Sequence, residues 1–119
     1  MKIGELARRT GASIRSLRYY DEQGLIKPLR LENGYREYSK LAEDQVRTIQ
    51  FYLSLGLSTE QISSFLQCVL INKEAFCSEI LPIYEQKLSE IDQQINQLSL
   101  IKSNLEDRIA SILAEQQQP

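Results

Sequence analysis

The chain has 119 residues, 42% hydrophobic and 25% charged, with a net charge of −2, enough for one modest core: a small domain with an appendage. No stretch approaches the ~18 apolar residues of a membrane span, and Met1-Lys2-Ile3-Gly4-Glu5 has no apolar run behind a basic start, so no membrane partner and no signal peptide are expected, and the expected location is cytoplasmic. With no histidine, no Gly-rich phosphate loop and no Cys-x-x-Cys pair, the chain lacks the parts of acid–base, nucleophilic and closed metal sites, so neither an enzyme nor a bound cofactor is expected.

Ile3, Leu6 and Ala7 stand at i, i+3 and i+4 and predict a short amphipathic helix over about 3–9. Thr10-Gly11-Ala12 breaks it, because glycine accepts the backbone of a tight turn. Ser13 is a good N-cap for a second helix, with Ile14, Leu17 and Tyr20 on its inward stripe and Arg15, Arg18 and Tyr19 on the other side. Gly24 closes it. Leu25 to Arg30 reads as extended chain. Asn33-Gly34 is a strong hairpin signal, since both residues tolerate the positive φ of a type I′ turn, and Tyr35-Arg36-Glu37-Tyr38 returns as a second strand. Ser39 caps a third helix over about 41–55, striped by Val46, Ile49, Tyr52 and Leu53 and ended by Gly56. Ser58 with Gln61 three residues on has the capping-box pattern and opens a fourth helix through Ile62, Phe65, Leu66 and Val69. Residues 72–77 read as a connector with room for a helical turn.

The segment from about 79 to 114 changes character. Leu81, Leu88, Ile95, Lys102 and Ile109 recur every seven residues, as do Tyr84, Ile91, Leu98, Leu105 and Ile112, offset by three. A helix of this length spans roughly 50 Å, and the chain holds no second long helix to cover its stripe. The expected partner is the same helix of a second copy, parallel or antiparallel. Lys102 departs from the pattern; it snorkels to solvent or sets register at some cost in stability. Pro82 falls in the first turn, where its missing donor costs nothing, and Gln116-Gln117-Gln118-Pro119 is expected to fray. The organisation read from these signals is a small N-terminal domain over 1–70, a connector over 71–78, a dimerisation helix over 79–114 and a tail over 115–119.

Two short helices across a glycine turn, followed by a hairpin, describe a winged helix-turn-helix. The expected fold class is mainly α, with a two-stranded β wing and a long C-terminal dimerisation helix. Charge distribution agrees: residues 1–56 hold ten Lys/Arg against seven Asp/Glu, and residues 57–119 hold four against nine. Screening sets in at roughly 10 Å, so the basic half can meet phosphates while the acidic half stays clear. In such a domain the second helix lies in the major groove with its N-terminal part at the base edges. Ser13 and Arg15 fall there, and arginine can bond guanine bidentately. Arg18, Tyr19 and Tyr20 lie further along, where donors reach phosphates and fix register, and Arg36 and Tyr38 of the wing would grip the backbone beside the groove. The competing role for the tyrosines is packing. Adjacent Tyr19 and Tyr20 cannot both face DNA, Tyr20 is the better core residue, and Tyr38 can staple the wing to the third helix.

Ile3-Gly4-Glu5-Leu6-Ala7, Arg18-Tyr19-Tyr20-Asp21, Gly24-Leu25-Ile26, Asn33-Gly34-Tyr35-Arg36-Glu37-Tyr38 and Gly56-Leu57-Ser58-Thr59-Glu60-Gln61-Ile62 follow one another in that order. On these motifs the first 70 residues resemble the MerR family of bacterial transcription regulators. The resemblance implies a homodimer, paired through an antiparallel coiled coil, on palindromic operators inside promoters whose −35 and −10 elements lie too far apart. Activation follows from kinking and untwisting the DNA so that RNA polymerase engages both elements. Such bending costs a few kcal/mol, up to ~10 for stiff sequences.

Metal-sensing members of that family carry a cysteine near the start of the dimerisation helix, where Cys77 falls, and further ligands in a loop beyond it; redox members carry four cysteines there. This sequence has neither set, and one thiolate does not close a metal site. Cys77 is the candidate for effector contact, with a metal or a thiol-reactive agent as the signal. A dimer could add Cys68 from either chain, though the ordinary role of Cys68 is a small buried hydrophobe. Larger relatives add a drug-binding domain for which 119 residues leave no room: if the chain is whole, an inducer is expected near the domain–coil junction or not at all, and if it is shortened, the sensor is simply absent. Two rivals stand beside the regulator: a phage-type excisionase or packaging accessory factor, and an adaptor that uses its acidic coil.

Overall fold

A computed structural model describes residues 1–118. Along the chain run α1 (Ile3–Thr10), α2 (Ile14–Glu22), β1 (Leu29–Arg30), β2 (Arg36–Glu37), α3 (Lys40–Ser54), α4 (Thr59–Ile71), a 3-10 turn at Glu74–Phe76 and α5 (Ile80–Gln116). The strands form one antiparallel ribbon with Leu29 opposite Glu37 and Arg30 opposite Arg36. The expected mainly α, winged architecture is therefore present. The chain divides into a unit of Met1–Leu81 and a second unit that begins at Pro82, so residues 71–78 fold with the N-terminal unit.

Local chemistry sets each boundary. Gly11 takes φ +76° and ends α1 in the left-handed region, its N–H reaching the Ala7 carbonyl at 2.8 Å, a conformation strained for any residue with a Cβ. Helix ends leave carbonyls without partners, and α3 supplies donors here: Arg47 bonds the Arg9 carbonyl at 2.7 Å and Gln50 the Thr10 carbonyl at 2.8 Å. The turn between α1 and α2 is thereby fixed from outside. Ser13, Ser39 and Ser58 all cap as expected. The Ser58 box is complete, with Ser58 N–H donating to Gln61 Oε1 at 2.9 Å and Gln61 N–H to Ser58 Oγ at 3.1 Å.

Leu6, Leu17, Leu25, Ile26, Val46, Ile49, Ile62, Phe65 and Leu66 are buried together in the first unit. Tyr52 of α3 meets Phe65 of α4 edge to face, with ring centroids 4.8 Å apart. Ile14 departs from its expected inward place and is 41% exposed. It opens α2, and a helical side chain covers the turn preceding its own Cα, which here is the chain entering from Gly11. Leu53 and Val69, expected on inward stripes, are only partly buried.

The wing turn also departs from expectation. Gly34 has φ +83°, but no residue other than glycine has positive φ among the described residues, so Asn33 does not enter a type I′ turn. Leu31 N–H donates to the Tyr35 carbonyl at 2.8 Å, which leaves three loop residues rather than two. In a three-residue loop one left-handed glycine closes the hairpin, and the Asn33 side chain instead accepts from Tyr35 N–H at 3.1 Å.

α5 is 37 residues long, about 55 Å, with Pro82 in its first turn. Its heptad residues Leu81, Leu88, Ile91, Ile95, Leu98, Leu105, Ile109 and Ile112 are exposed, as is Lys102; Tyr84 is half-buried. The helix runs further into the tail than expected, to Gln116, and Pro119 lies outside the described residues. Among the described residues no helix is long and apolar enough to cross a membrane.

Candidate nucleic-acid interface

α2 presents two faces. Leu17 and Tyr20 are buried, while Arg15, Arg18, Tyr19 and Glu22 are exposed. Ser13 holds the start of this helix in place: its Oγ accepts from Ser16 N–H at 3.0 Å and donates to Ser16 Oγ at 2.9 Å. Its hydroxyl is thus committed to the first turn, and Ser13 serves the outer face by positioning Arg15. Tyr19 is anchored at its tip, its hydroxyl 3.2 Å from Thr59 Oγ1 at the start of α4. Arg15, Arg18, Tyr19 and Glu22 line a concave surface of about 360 Å³.

A second concavity, of about 400 Å³, lies between α2 and the wing, lined by Lys2, Arg18, Glu22, Gly34, Tyr35 and Arg36 among others. Arg18 borders both. The Lys2 ammonium stands 5.6 Å from the centre of the Tyr35 ring, a cation–π contact that holds a positive charge beside the wing. Arg30 faces Arg36 across the ribbon. Like charges in opposed positions are unfavourable, so the pair is a cationic spot that gains when an anion approaches. Lys2, Arg30 and Tyr35 were not singled out by sequence reasoning. The path of the first two residues and the hairpin bring Lys2 and Tyr35 beside Arg18 and Glu22 of α2, and the register sets Arg30 opposite Arg36, although the basic surplus of residues 1–56 was a general pointer.

Two expected contact residues belong to the core instead. Tyr20 is 6% and Tyr38 2% exposed. Burial raises the pKa of both hydroxyls; a Ser16 hydrogen bond partly offsets this for Tyr20, and the Asp21 carboxylate adds to it for Tyr38. Tyr38 donates to Asp21 Oδ2 at 3.0 Å, and its backbone pairs with Met1. It therefore staples the wing to α2 and to the N-terminus. Arg36 remains at the surface, but one guanidinium nitrogen is held by the same Asp21 oxygen at 2.7 Å.

A buried charge supports the site from behind. Glu43 of α3 is 3% exposed and lies 3.0 Å from Arg47, 3.1 Å from Lys40 and 3.8 Å from Arg9. The Arg47 and then the Lys40 hydrogen bonds hold its carboxyl below the usual carboxylate range. Arg47 thus joins Glu43 to the end of α1. Sequence patterning hid this group, because a glutamate in a helix's first turn reads as solvated.

The cysteines come together within the first unit. Cys77, past the 3-10 turn, is buried, Cys68 on α4 is half-buried, and both are free thiols. The neighbouring Cys77 thiol, then burial, raises the Cys68 pKa. Among the described residues no group of three or more His, Cys, Asp or Glu is placed to hold a metal.

Comparison with known proteins agrees with this geometry. The family described as MerR family regulatory protein matches residues 2–38. The chain is 35% identical over 106 residues to the HTH-type transcriptional regulator HmrR of Rhizobium leguminosarum bv. viciae, covering 89% of this chain and 81% of that one. It is also 35% identical over 107 residues to the mercuric resistance operon regulatory protein of Bacillus cereus, covering 89% and 80%. Among solved structures it is similar, at TM-score 0.58 and 26% identity over 92% of this chain and 83% of that one, to HiNmlR, a MerR family regulator lacking the sensor domain, bound to promoter DNA. These similarities are to regulators and lend nothing to the phage-accessory or adaptor readings.

Proposed function

The chain belongs to the MerR family of DNA-binding transcription regulators, and on that premise we propose that it acts in the cytoplasm as a homodimer on a palindromic promoter operator, activating by bending and untwisting an overlong spacer for RNA polymerase. The observation that carries the DNA-reading part is the placement of exposed Arg15, Arg18, Lys2 and Arg36 along the concave surfaces beside α2, with Arg30 opposite Arg36 in the wing. In this reading Arg15 meets base edges, while Arg18, Arg36, Arg30 and Lys2 meet phosphates. Tyr20 and Tyr38 hold the two elements that carry these charges.

The exposed stripe of α5 supports the dimer: Leu88 is 61% and Leu98 64% exposed, and an apolar face of this length marks an interaction surface. Two such DNA-binding units on one dimer match a two-fold operator. The relative that regulates a mercuric resistance operon supports a metal as the signal, met in this chain at Cys77.

Footprinting on the DNA upstream of the protein's own gene and its neighbours tests the proposal. A two-fold protected site between promoter elements set too far apart, with polymerase open-complex formation dependent on the protein, is the expected result. Sequence-blind binding without a footprint would overturn it.

A further inference from the structure

We propose that Glu22, at the end of α2, is a specificity-determining residue: its free carboxylate keeps the DNA-reading face from holding a duplex by phosphate contacts alone, so that tight binding requires the base contact of Arg15. The inference rests on the reading of this face as the DNA interface, and it names the residue that sets the discrimination of that face.

The pairing of the acidic side chains carries the argument. Residues 1–56 hold seven Asp/Glu. Glu5 pairs with Arg9 at 3.0 Å, Asp21 with Arg36 at 2.7 Å and Glu37 with the Met1 amino group at 3.8 Å. Glu43 and Asp44 both meet Lys40. Of the seven, only Glu22 and Glu32 form no ion pair among the described residues. Glu32 lies in the wing loop and lines neither concavity beside α2, whereas Glu22 lines both. Arg15, Arg18 and Glu22 stand at i, i+3 and i+7, which is one face of a helix, and all three are exposed. An uncompensated carboxylate is thus built into the row of side chains that meets DNA.

The charge of the concavities gives the consequence. Along α2 the charged lining residues are Arg15, Arg18 and Glu22, a net charge of +1 where the arginines alone would give +2. Toward the wing, Lys2, Arg18 and Arg36 stand against Glu22, and Arg36 is already held by Asp21. A phosphate entering either concavity meets Arg18 and Glu22 together, and repulsion by the one offsets attraction to the other. Binding without sequence preference rests on phosphate neutralisation alone, so it bears this loss in full. On the operator, hydrogen bonds from Arg15 to a base hold α2 in one register with its side chains over the base edges. At any other sequence the face is held only by phosphates in the concavities, where Glu22 opposes them. A charge set against the wrong partner is a general route to specificity.

The test measures binding of the full-length chain and of Glu22→Gln to the footprinted fragment upstream of its own gene and to a shuffled duplex of equal length, over a series of salt concentrations. Glutamine keeps the shape of the side chain and removes its charge, and circular dichroism checks that the fold is unchanged. The expected result is tighter binding of Glu22→Gln to the shuffled duplex, by up to about tenfold per subunit at low salt, with a slope steeper by about one charge per subunit. The gain on the operator should be smaller, so the ratio of operator to shuffled affinity falls. Asp107→Asn makes the same change of charge on α5, off the heptad stripe, and should leave both affinities as in wild type. Equal gains on the two duplexes, or the same gain from Asp107→Asn, would overturn the proposal, as would unchanged binding of Glu22→Gln to the shuffled duplex. Weaker operator binding with altered preference at one base pair would overturn it too, by making Glu22 a base contact. A wild-type chain without a footprint defeats the regulator reading itself, whereas a wild-type footprint with no shift in the variant defeats only the role of Glu22.

Discussion

Asp21 receives the Arg36 guanidinium at 2.7 Å and the Tyr38 hydroxyl at 3.0 Å on the same oxygen, Oδ2. One carboxylate of α2 thus ties down both the buried and the exposed residue of the wing. Asp21→Ala leaves the buried Tyr38 hydroxyl without its acceptor and should cost about 1–3 kcal/mol in denaturant unfolding. Arg36→Ala breaks a pair that is largely at the surface and should cost at most about 1 kcal/mol. The order reverses for DNA: Arg36→Ala should reduce the salt slope of binding by about one. Equal stability losses in the two variants would show that Asp21 does not hold Tyr38.

Arg15 differs from the other cations in lying at the start of α2. Arg15→Ala should weaken operator binding by about 1–3 kcal/mol and relax preference at one base position in each half-site, as loss of a base contact does. Binding to a panel of single-base operator variants measures this. Uniform weakening across the panel would make Arg15 a phosphate contact.

Much of this was legible in the sequence. The caps at Ser13, Ser39 and Ser58 mark helix starts because they depend on a few adjacent atoms, and the α5 stripe is legible because its period is strict. What escaped depends on chain segments meeting. Tyr38 follows a short polar strand that gives no sign of its burial, and Ile14 fits the α2 stripe yet lies outside. Glu43 is charged in a helix's first turn, yet three cations from two helices surround it.

Glu43 predicts a pH dependence. Its carboxyl titrates below the usual value near 4.5, chiefly through Arg47 and then Lys40. A lowered folded pKa means stability that is fully present above the unfolded value and lost as pH falls through the folded one. Glu43→Gln should therefore be less stable than wild type at pH 7, with the difference shrinking below about pH 4.5. Urea midpoints from pH 7 to pH 3 check this; a constant difference would show that the ion cluster does not respond to the Glu43 charge.

Lys102 interrupts the apolar positions of α5. In the proposed dimer, Lys102→Leu should tighten self-association, gaining up to about 1.5–3 kcal/mol for each buried side chain, and Leu98→Lys should weaken it. Sedimentation equilibrium over a dilution series reads both. No change in either variant would place the pairing seam elsewhere on the helix.

Arg18 borders both concavities beside α2, so any duplex lying against this face meets it. Affinity for the operator fragment should be measured at several salt concentrations for wild type and Arg18→Ala. A steep fall with salt in the wild type, and in the variant weaker binding with a slope smaller by about one charge per subunit, is the expected result. Unchanged affinity and slope in a variant that folds and dimerises normally would contradict the placement of DNA against this face.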